Sequence, residues 1–408
     1  MKFDLKNIRA VYVLVPLSIL AVLWTIMAFT GQWPNEGNGY NSYALQSLSW
    51  LHGRLDLGGN YEWLELAIYG GKYYVSFPPF PSFVLLPFAA VCGSNTPDHW
   101  IVLVTTIIGA IYATKLTETV TRTKEHTAFW VYFLYLASGL MFVSLNGFVW
   151  FIAQSMCFTL SVMSLYYATK GRGGISLTLW ACAVGCRPMV AIYLPLLAYI
   201  LWQKLKREDS QIKLLPTILQ KFTWYIGPLV LALTYMILNY KRFGSPIEFG
   251  HNYLPEFTRT PTGQFHVSYL MENLKNLFRL PQVGAEGEAL TFFTMNGMAF
   301  WLITPLFITV AMAWIYYVIK GKNKNYVTLI MIPILVLAHI LFICCHRTLG
   351  GWHFGNRYLL DALPYLYYGL LLWMPREGWF AKINQPLFFL GFSLNLVGTV
   401  ATYNYWIS

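Results

Sequence analysis

The sequence predicts an all-α polytopic membrane protein with about 11 transmembrane helices, and three observations carry that class. Of the 408 residues, 57% are hydrophobic and only 11% charged, whereas a soluble domain carries about 25% charged residues. Uncharged windows extend over 10–35, 126–169, 289–319, 325–346 and 383–408, and about 20 apolar residues cover the hydrocarbon of a bilayer. The apolar runs are continuous rather than alternating, which selects helices over a closed barrel.

Spans are expected near 10–30, 99–115, 127–145, 150–169, 174–187, 188–203, 223–240, 293–318, 326–345, 358–374 and 386–405. The segments 1–9, 115–125, 170–174, 203–221, 320–325 and 375–385 hold 18 of the 28 Lys and Arg residues but 6 of the 17 acids. Those segments are therefore cytoplasmic, and the remaining loops face outwards. An odd number of spans then leaves the C-terminus outside. The net charge of +11 reports topology, so no nucleic-acid partner is expected. Met1–Arg9 and the run after it read as a retained first span, because the run lacks a small-residue cleavage site.

Phe80–Gly93 is apolar but only 14 residues long, with Pro78, Pro79, Pro81 and Pro87 in or beside it. It suits a short interfacial or re-entrant helix. The chain then divides into a module over 1–240, containing the outer loop 31–98 with its surface helices, and a part over 241–408. The latter holds a second outer loop, 241–292, and the C-terminal helices. The six cysteines mostly lie inside spans, and their spacing suggests neither a disulfide framework nor a metal site.

The loop 31–98 is the least hydrocarbon-like part of the chain. Asn41–His52 places apolar residues at 44, 45, 48 and 51, with Gln46, Ser47 and Ser49 opposite. That stripe predicts an amphipathic surface helix, capped by Ser42 and ended by Gly53. A Gly58–Gly59 turn follows, then Tyr61–Ile68, with Glu62 and Glu65 expected on one helical face, then a Gly70–Gly71 turn. Phe77-Pro78-Pro79-Phe80 forces a rigid, extended approach to the next helix. The many Tyr and Trp residues here form mainly an interfacial belt.

The Tyr-led surface helix ending in Gly53-Arg54-Leu55, and the corner Tyr73-Tyr74 through Pro81, resemble the GT-C fold of lipid-phosphate-dependent glycosyltransferases. Protein O-mannosyltransferases and aminoarabinose transferases of lipid A are the members compared. The stretch Gly355–Tyr368 (GNRYLLDALPYLYY) is similar to the Arg-Tyr pattern that opens a late span in the same superfamily. Two departures stand out. Ser76 or Phe77 replaces the basic residue before the double proline, and the family's catalytic acid falls near Asn38, where the nearest acid is Glu36.

The resemblance implies transfer of a sugar from a polyprenyl-phosphate donor to a cell-envelope acceptor (glycan, lipid or protein) on the outer face of a bacterial plasma membrane. Such chemistry needs a carboxylate to take the acceptor proton and cationic donors for the departing phosphate. Glu36, Asp56 and Glu65 are the candidate catalytic acids. Arg357, Arg187, His353 and Arg347 are the candidates for the donor phosphate, and Tyr40, His52, Tyr74 and Asp361 for positioning substrate. Plainer roles stand beside these: a solvated loop acid for Glu36, a salt bridge to Arg54 for Asp56, and a structural ion pair with Arg357 for Asp361. No cofactor is certain, and a divalent metal ion stays open. A transporter or lipid flippase, or a non-catalytic GT-C relative binding lipid-linked glycans, are the alternatives.

Overall fold

The computed structural model describes residues 9–283, 290–321 and 325–406. The expected inner segments 1–9 (Arg9 excepted) and 322–324 lie outside the described residues. The chain begins with α1 (Val11–Thr30), α2 (Ser42–Leu51), a hairpin of β1 (Leu66–Tyr69) and β2 (Lys72–Val75), and α3 (Phe80–Cys92). Next come α4 (Asp98–Thr121), α5 (Thr127–Leu136), α6 (Leu140–Val143), α7 (Val149–Thr169) and α8 (Gly173–Val184). A 3-10 turn (Pro188–Tyr193) leads into α9 (Leu194–Glu208), α10 (Leu214–Gln220) and α11 (Thr223–Phe243). The second large loop carries α12 (Pro255–Thr258), α13 (Leu270–Phe278) and a short ribbon of β3 (Gln282–Val283) and β4 (Leu290–Thr291). Then follow α14 (Phe300–Ile303), α15 (Leu306–Lys320), α16 (Tyr326–Cys344), α17 (Leu363–Trp373), α18 (Trp379–Ile383) and α19 (Gln385–Tyr403).

Six helical stretches among the described residues are long and apolar enough to cross a membrane: α1, α4, α7, Pro188–Glu208, α16 and α19. The chain is a multi-pass membrane protein. Its two expected parts share one core rather than standing apart. The Tyr367 hydroxyl of α17 meets Thr117 of α4 at 2.6 Å, and Asn146 donates to the Tyr403 hydroxyl of α19 at 2.7 Å.

Two expected spans are interrupted. The run 127–145 divides into α5 and α6 because the Ser138 side chain competes locally for backbone groups: its hydroxyl donates to Leu134 O and accepts from Leu140 N. The run 293–318 is helical only from Phe300 and breaks again before Leu306, where Pro305 has no amide to continue the ladder.

The loop also differs from expectation in detail. Gly53, at φ +69°, ends α2 as predicted, but Asn41 rather than Ser42 occupies the cap and makes no side-chain bond there. The polar stripe of α2 does not face water. Gln46, Ser47 and Ser49 are buried, and α3 covers that face: the Ser82 hydroxyl donates to Gln46 Oε1 at 2.8 Å, and Ser47 donates to Ser82 O at 2.8 Å. A polar stripe can be satisfied by a partner helix as well as by solvent, and here the partner wins. Tyr61–Ile68 is not helical either. Its second half is β1, paired to β2 through the Gly70–Gly71 turn at φ +56° and +72°, so Glu62 and Glu65 do not share a helix face.

α3 has 13 residues, about 20 Å of helix, short of the roughly 30 Å hydrocarbon. Its first amide donates to Gly185 O beyond α8 at 2.9 Å. Just past its other end, Ser94 O receives Asn41 Nδ2 at 3.5 Å. Both ends are tied to turns at the same end of the bundle, so α3 lies along it rather than through it.

Candidate active site

The turn after α8 supplies the first charged group. Pro188 pushes the preceding residue out of the helical region, and Arg187 is accordingly extended (φ −143°, ψ 100°). Its guanidinium points inwards, with Nε donating to Asp361 Oδ2 at 2.9 Å. Asp361 is buried, and its other oxygen accepts from Gln154 Nε2 of α7 at 2.9 Å. The same amide nitrogen also donates to Arg357 O at 2.5 Å. One glutamine therefore clamps both ends of the Arg357–Asp361 segment.

That segment is a 3-10 turn, not an α-helix. At three residues per turn, positions four apart diverge by about 120° instead of nearly coinciding. Arg357 and Asp361 consequently do not pair with each other, contrary to the sequence expectation. Arg357 turns to the loop before it, where Nε and Nη2 both donate to Gly350 O at 3.0 and 2.5 Å. Its Nη1 is buried and has no partner among the described residues. The guanidinium carbons of Arg187 and Arg357 stand 4.8 and 5.1 Å from the centre of the same Tyr358 ring. Two cations thus share one aromatic neighbour, and Asp361 pairs with Arg187. Burial works against the Arg187 charge, but Asp361 outweighs it and holds Arg187 above its ordinary pKa. Burial pushes Arg357 below its ordinary value.

Beside these groups lies a cavity of about 340 Å³ whose walls include Tyr43, Phe77, Trp150, Arg187, His251 and Tyr358. His251 donates its Nδ1 hydrogen to Ser76 O at 2.5 Å, leaving the Nε2 lone pair free. His346, also on the wall, has Nδ1 against Thr348 O at 2.6 Å. Burial lowers both histidines to about 4, so both are neutral at pH 7. Trp150 is wall and donor at once: its indole nitrogen binds Glu65 Oε2 at 3.0 Å. The Glu65 residue has an exposed edge, but protein crowds its carboxylate. That crowding raises its pKa, while Trp150 and the Arg357 charge pull it back. Among the described residues no group of three or more His, Cys, Asp or Glu side chains is placed to hold a metal ion.

The structure brings together only part of the expected set: Glu65, Arg187, Arg357 and Asp361. Glu36 is exposed in a different cleft. Asp56 is taken up by its own turn, accepting from Gly58 N at 2.9 Å, with Lys72 rather than Arg54 at 3.7 Å. His353 is fully buried, and it does not line the cavity. Arg347 stands where its charge acts on Glu256, also off the cavity wall. His52 folds back on Leu48 O, and Tyr74 packs on Phe243, so neither reaches substrate space. Tyr40 makes a tilted contact with Trp150, centroids 5.1 Å apart, and borders the site from outside. Trp150 and Gln154 belong to no motif, and Tyr358 stands in the Arg-Tyr pattern but was given no role. Of the first two, Gln154 alone had a sequence signal, as an amide in the middle of an apolar helix, where unsatisfied polar groups are costly.

An integral-membrane helical bundle, with Arg187 on the wall of a cavity at one end and Arg357 behind the same Tyr358 ring, is the class defined by this geometry. The chain adopts the GT-C glycosyltransferase fold. It is similar to the structure of ArnT from Cupriavidus metallidurans bound to undecaprenyl phosphate, with a TM-score of 0.54 and 14% identity over 96% of this chain and 76% of that one. An oligosaccharyltransferase from Archaeoglobus fulgidus in the apo form matches with a TM-score of 0.41 and 13% identity, over 95% of this chain and 56% of that one. No protein-family model and no curated protein matches the sequence.

Proposed function

We propose that the protein transfers a sugar from a polyprenyl-phosphate donor to a hydroxyl of a cell-envelope acceptor, at the outer face of a bacterial plasma membrane. The observation that carries this reading is the charge balance beside the cavity. Arg187 and Asp361 neutralise each other, whereas buried Arg357 keeps a guanidinium nitrogen with no partner among the described residues. An unpaired buried cation costs several kcal/mol, and a lipid phosphate drawn to the site by its tail would satisfy it in the geometry arginine favours. The likeness to a structure holding undecaprenyl phosphate supports the same ligand class.

In this reading Glu65 is the base. It takes the acceptor hydroxyl proton as the oxygen bonds to the sugar's anomeric carbon. The bond from that carbon to the phosphate oxygen breaks, and its electron pair leaves on the phosphate. Arg357, with Arg187 held in place by Asp361, stabilises that charge. Glu36 and Asp56 have no part in this scheme.

The test is to incubate purified protein with a polyprenyl-phosphate sugar in detergent and measure released polyprenyl phosphate. Release is expected from the wild type, and loss of it in Arg357→Ala and Glu65→Gln. Energy-dependent lipid movement without cleavage, or tight binding without turnover, would overturn the proposal.

A further inference from the structure

A second hollow lies at the same end of the bundle, between the turn after α1 and the turn that enters α4. It is an open cleft of about 750 Å³, lined by 34–39, 41, 94–98 and 100. Its floor holds Asp98, which is 3% exposed. Asp98 Oδ2 accepts from Asn38 Nδ2 at 3.0 Å, while Oδ1 is buried without a hydrogen-bond partner. Asn38 is fully committed: it also donates to Gly147 O at 2.7 Å and accepts from Tyr40 N at 2.9 Å. Asp98 packs so closely on Gly147 that a Cβ on the glycine would stand 2.5 Å from the Asp98 Cβ. The carboxylate is therefore built in and held still, with one acceptor oxygen left over.

A buried acceptor without a donor is uncommon and costs about 1–3 kcal/mol. The chemistry of the rim shows what kind of group supplies the donor. Among the described residues no lysine, arginine or histidine lines the cleft, and the ionisable groups in it, Glu36 and Asp98, are acids. An anionic headgroup or phosphate is therefore repelled. The two carboxylates are joined, among the described residues, by no third His, Cys, Asp or Glu side chain placed to hold a metal ion. What the rim does offer is amides. Asn95 makes no side-chain hydrogen bond, and Asn35 uses only its oxygen, to hold the Trp100 indole nitrogen at 3.0 Å. Trp100 is 40% exposed, so the tethered ring presents apolar surface beside those amides. Groups that donate and accept together, next to an aromatic face and a buried acceptor, match a ligand whose hydroxyls also do both.

The position matters as much as the composition. Gly39 O, on the cleft rim, accepts from Trp63 Nε1 at 3.0 Å, and Tyr40 makes a tilted contact with Trp150, the indole that holds Glu65. Tyr40 and Trp150 thus link the cleft to the base. We propose that this cleft binds a neutral saccharide and holds the acceptor glycan, so that its next residue reaches Glu65. The acceptor is then a carbohydrate rather than a protein side chain or a lipid headgroup. The acceptor role rests on the transferase reading above; saccharide binding does not.

Saturation-transfer NMR on the full chain in amphipol, free of glycosidic detergent, tests the binding directly. The probes are four neutral disaccharides: chitobiose, mannobiose, cellobiose and lactose. Transfer to at least one is expected with the wild type and with Glu65→Gln, and an at least fivefold loss with Asp98→Ala and Trp100→Ala. Asn95→Ala, at an exposed position that does not threaten folding, is expected to weaken it as well. No transfer to any probe, transfer undiminished by all three cleft variants, or terbium luminescence lost with Asp98→Ala would overturn the proposal. Polyprenyl-phosphate release separates the two readings. If Asp98→Ala still hydrolyses donor to water but no longer glycosylates the disaccharide, both stand. Disaccharide binding without any donor cleavage by the wild type sinks the transferase reading and leaves the cleft in place.

Discussion

Arg187 and Asp361 lie 174 positions apart in the chain, yet they meet at 2.9 Å in the bundle, with the aspartate fully enclosed. The pair joins the turn after α8 to the turn before α17, and it fixes where the cavity wall ends. Removing one partner of such a pair leaves a charge with no counterpart.

Asp361→Asn is therefore expected to destabilise the protein by about 3–5 kcal/mol and to abolish sugar transfer. Arg187→Met/Asp361→Leu should recover most of the stability and none of the turnover. Thermal melting in detergent beside a release assay checks both. A double variant no more stable than Asp361→Asn would count against the pair's role.

As the proposed base, Glu65 should make turnover depend on pH. Burial raises its carboxyl pKa, and Trp150 opposes that rise. A base acts only when deprotonated, so turnover should climb with pH through the raised value, on an acid limb above that of an ordinary glutamate. Trp150→Phe deletes the opposing hydrogen bond and should move the limb to higher pH. Glu65→Gln should lower kcat about 10²–10⁴-fold with donor affinity kept. The stability linkage has the opposite sense: with the folded pKa raised, Glu65 favours the fold below its unfolded value, and that contribution is lost as pH rises through the folded one. The pH profile of kcat at saturating donor is the measurement, and an unmoved limb in Trp150→Phe removes Glu65 as the base.

Gly350 has φ +110°, and a Cβ there would stand 2.8 Å from Arg357 Nε. Gly350→Ala should cost about 1–3 kcal/mol of backbone strain and displace the guanidinium that Gly350 O holds. Donor binding should weaken at least tenfold while the helices stay assembled. Isothermal titration with polyprenyl phosphate reads this out, and unchanged affinity would show that Arg357 does not hold phosphate.

Ser82 joins the two surface helices by donating to Gln46 Oε1 and Tyr43 O. Ser82→Ala leaves a buried amide oxygen without its donor and should cost about 1–3 kcal/mol. Hydrogen exchange should quicken in α2 and α3 but not in α4 or α7. Uniform quickening would mean the pair does not open as a unit.

The membrane class and most of the helices were legible from the charge-free windows, because hydrocarbon tolerates so few alternatives. The shortness of the helix Phe80–Cys92 was legible too, from the length of its apolar run and its prolines. The polar face of α2 was misread because the periodicity of Gln46, Ser47 and Ser49 marks a face without saying what covers it. Arg357 and Asp361 were singled out from the sequence, but their spacing was given the wrong geometry, since nothing in RYLLD distinguishes a 3-10 turn from an α-turn. Glu36 drew the base assignment by its nearness in sequence to an expected motif. Glu65 sits beside the cavity only because a hairpin and an indole 85 positions away put it there.

The tight winding of Arg357–Asp361 has a consequence for anyone altering this protein. Arginine and aspartate address different partners, one the glycine loop and the other the turn at Pro188, because the backbone between them advances a third of a revolution per residue. Relaxing it to ordinary helical pitch, with every side chain retained, would swing the carboxylate away from Arg187. Register at this spot is thus as much a part of the machinery as chemistry, and a single inserted residue should do more harm than many substitutions.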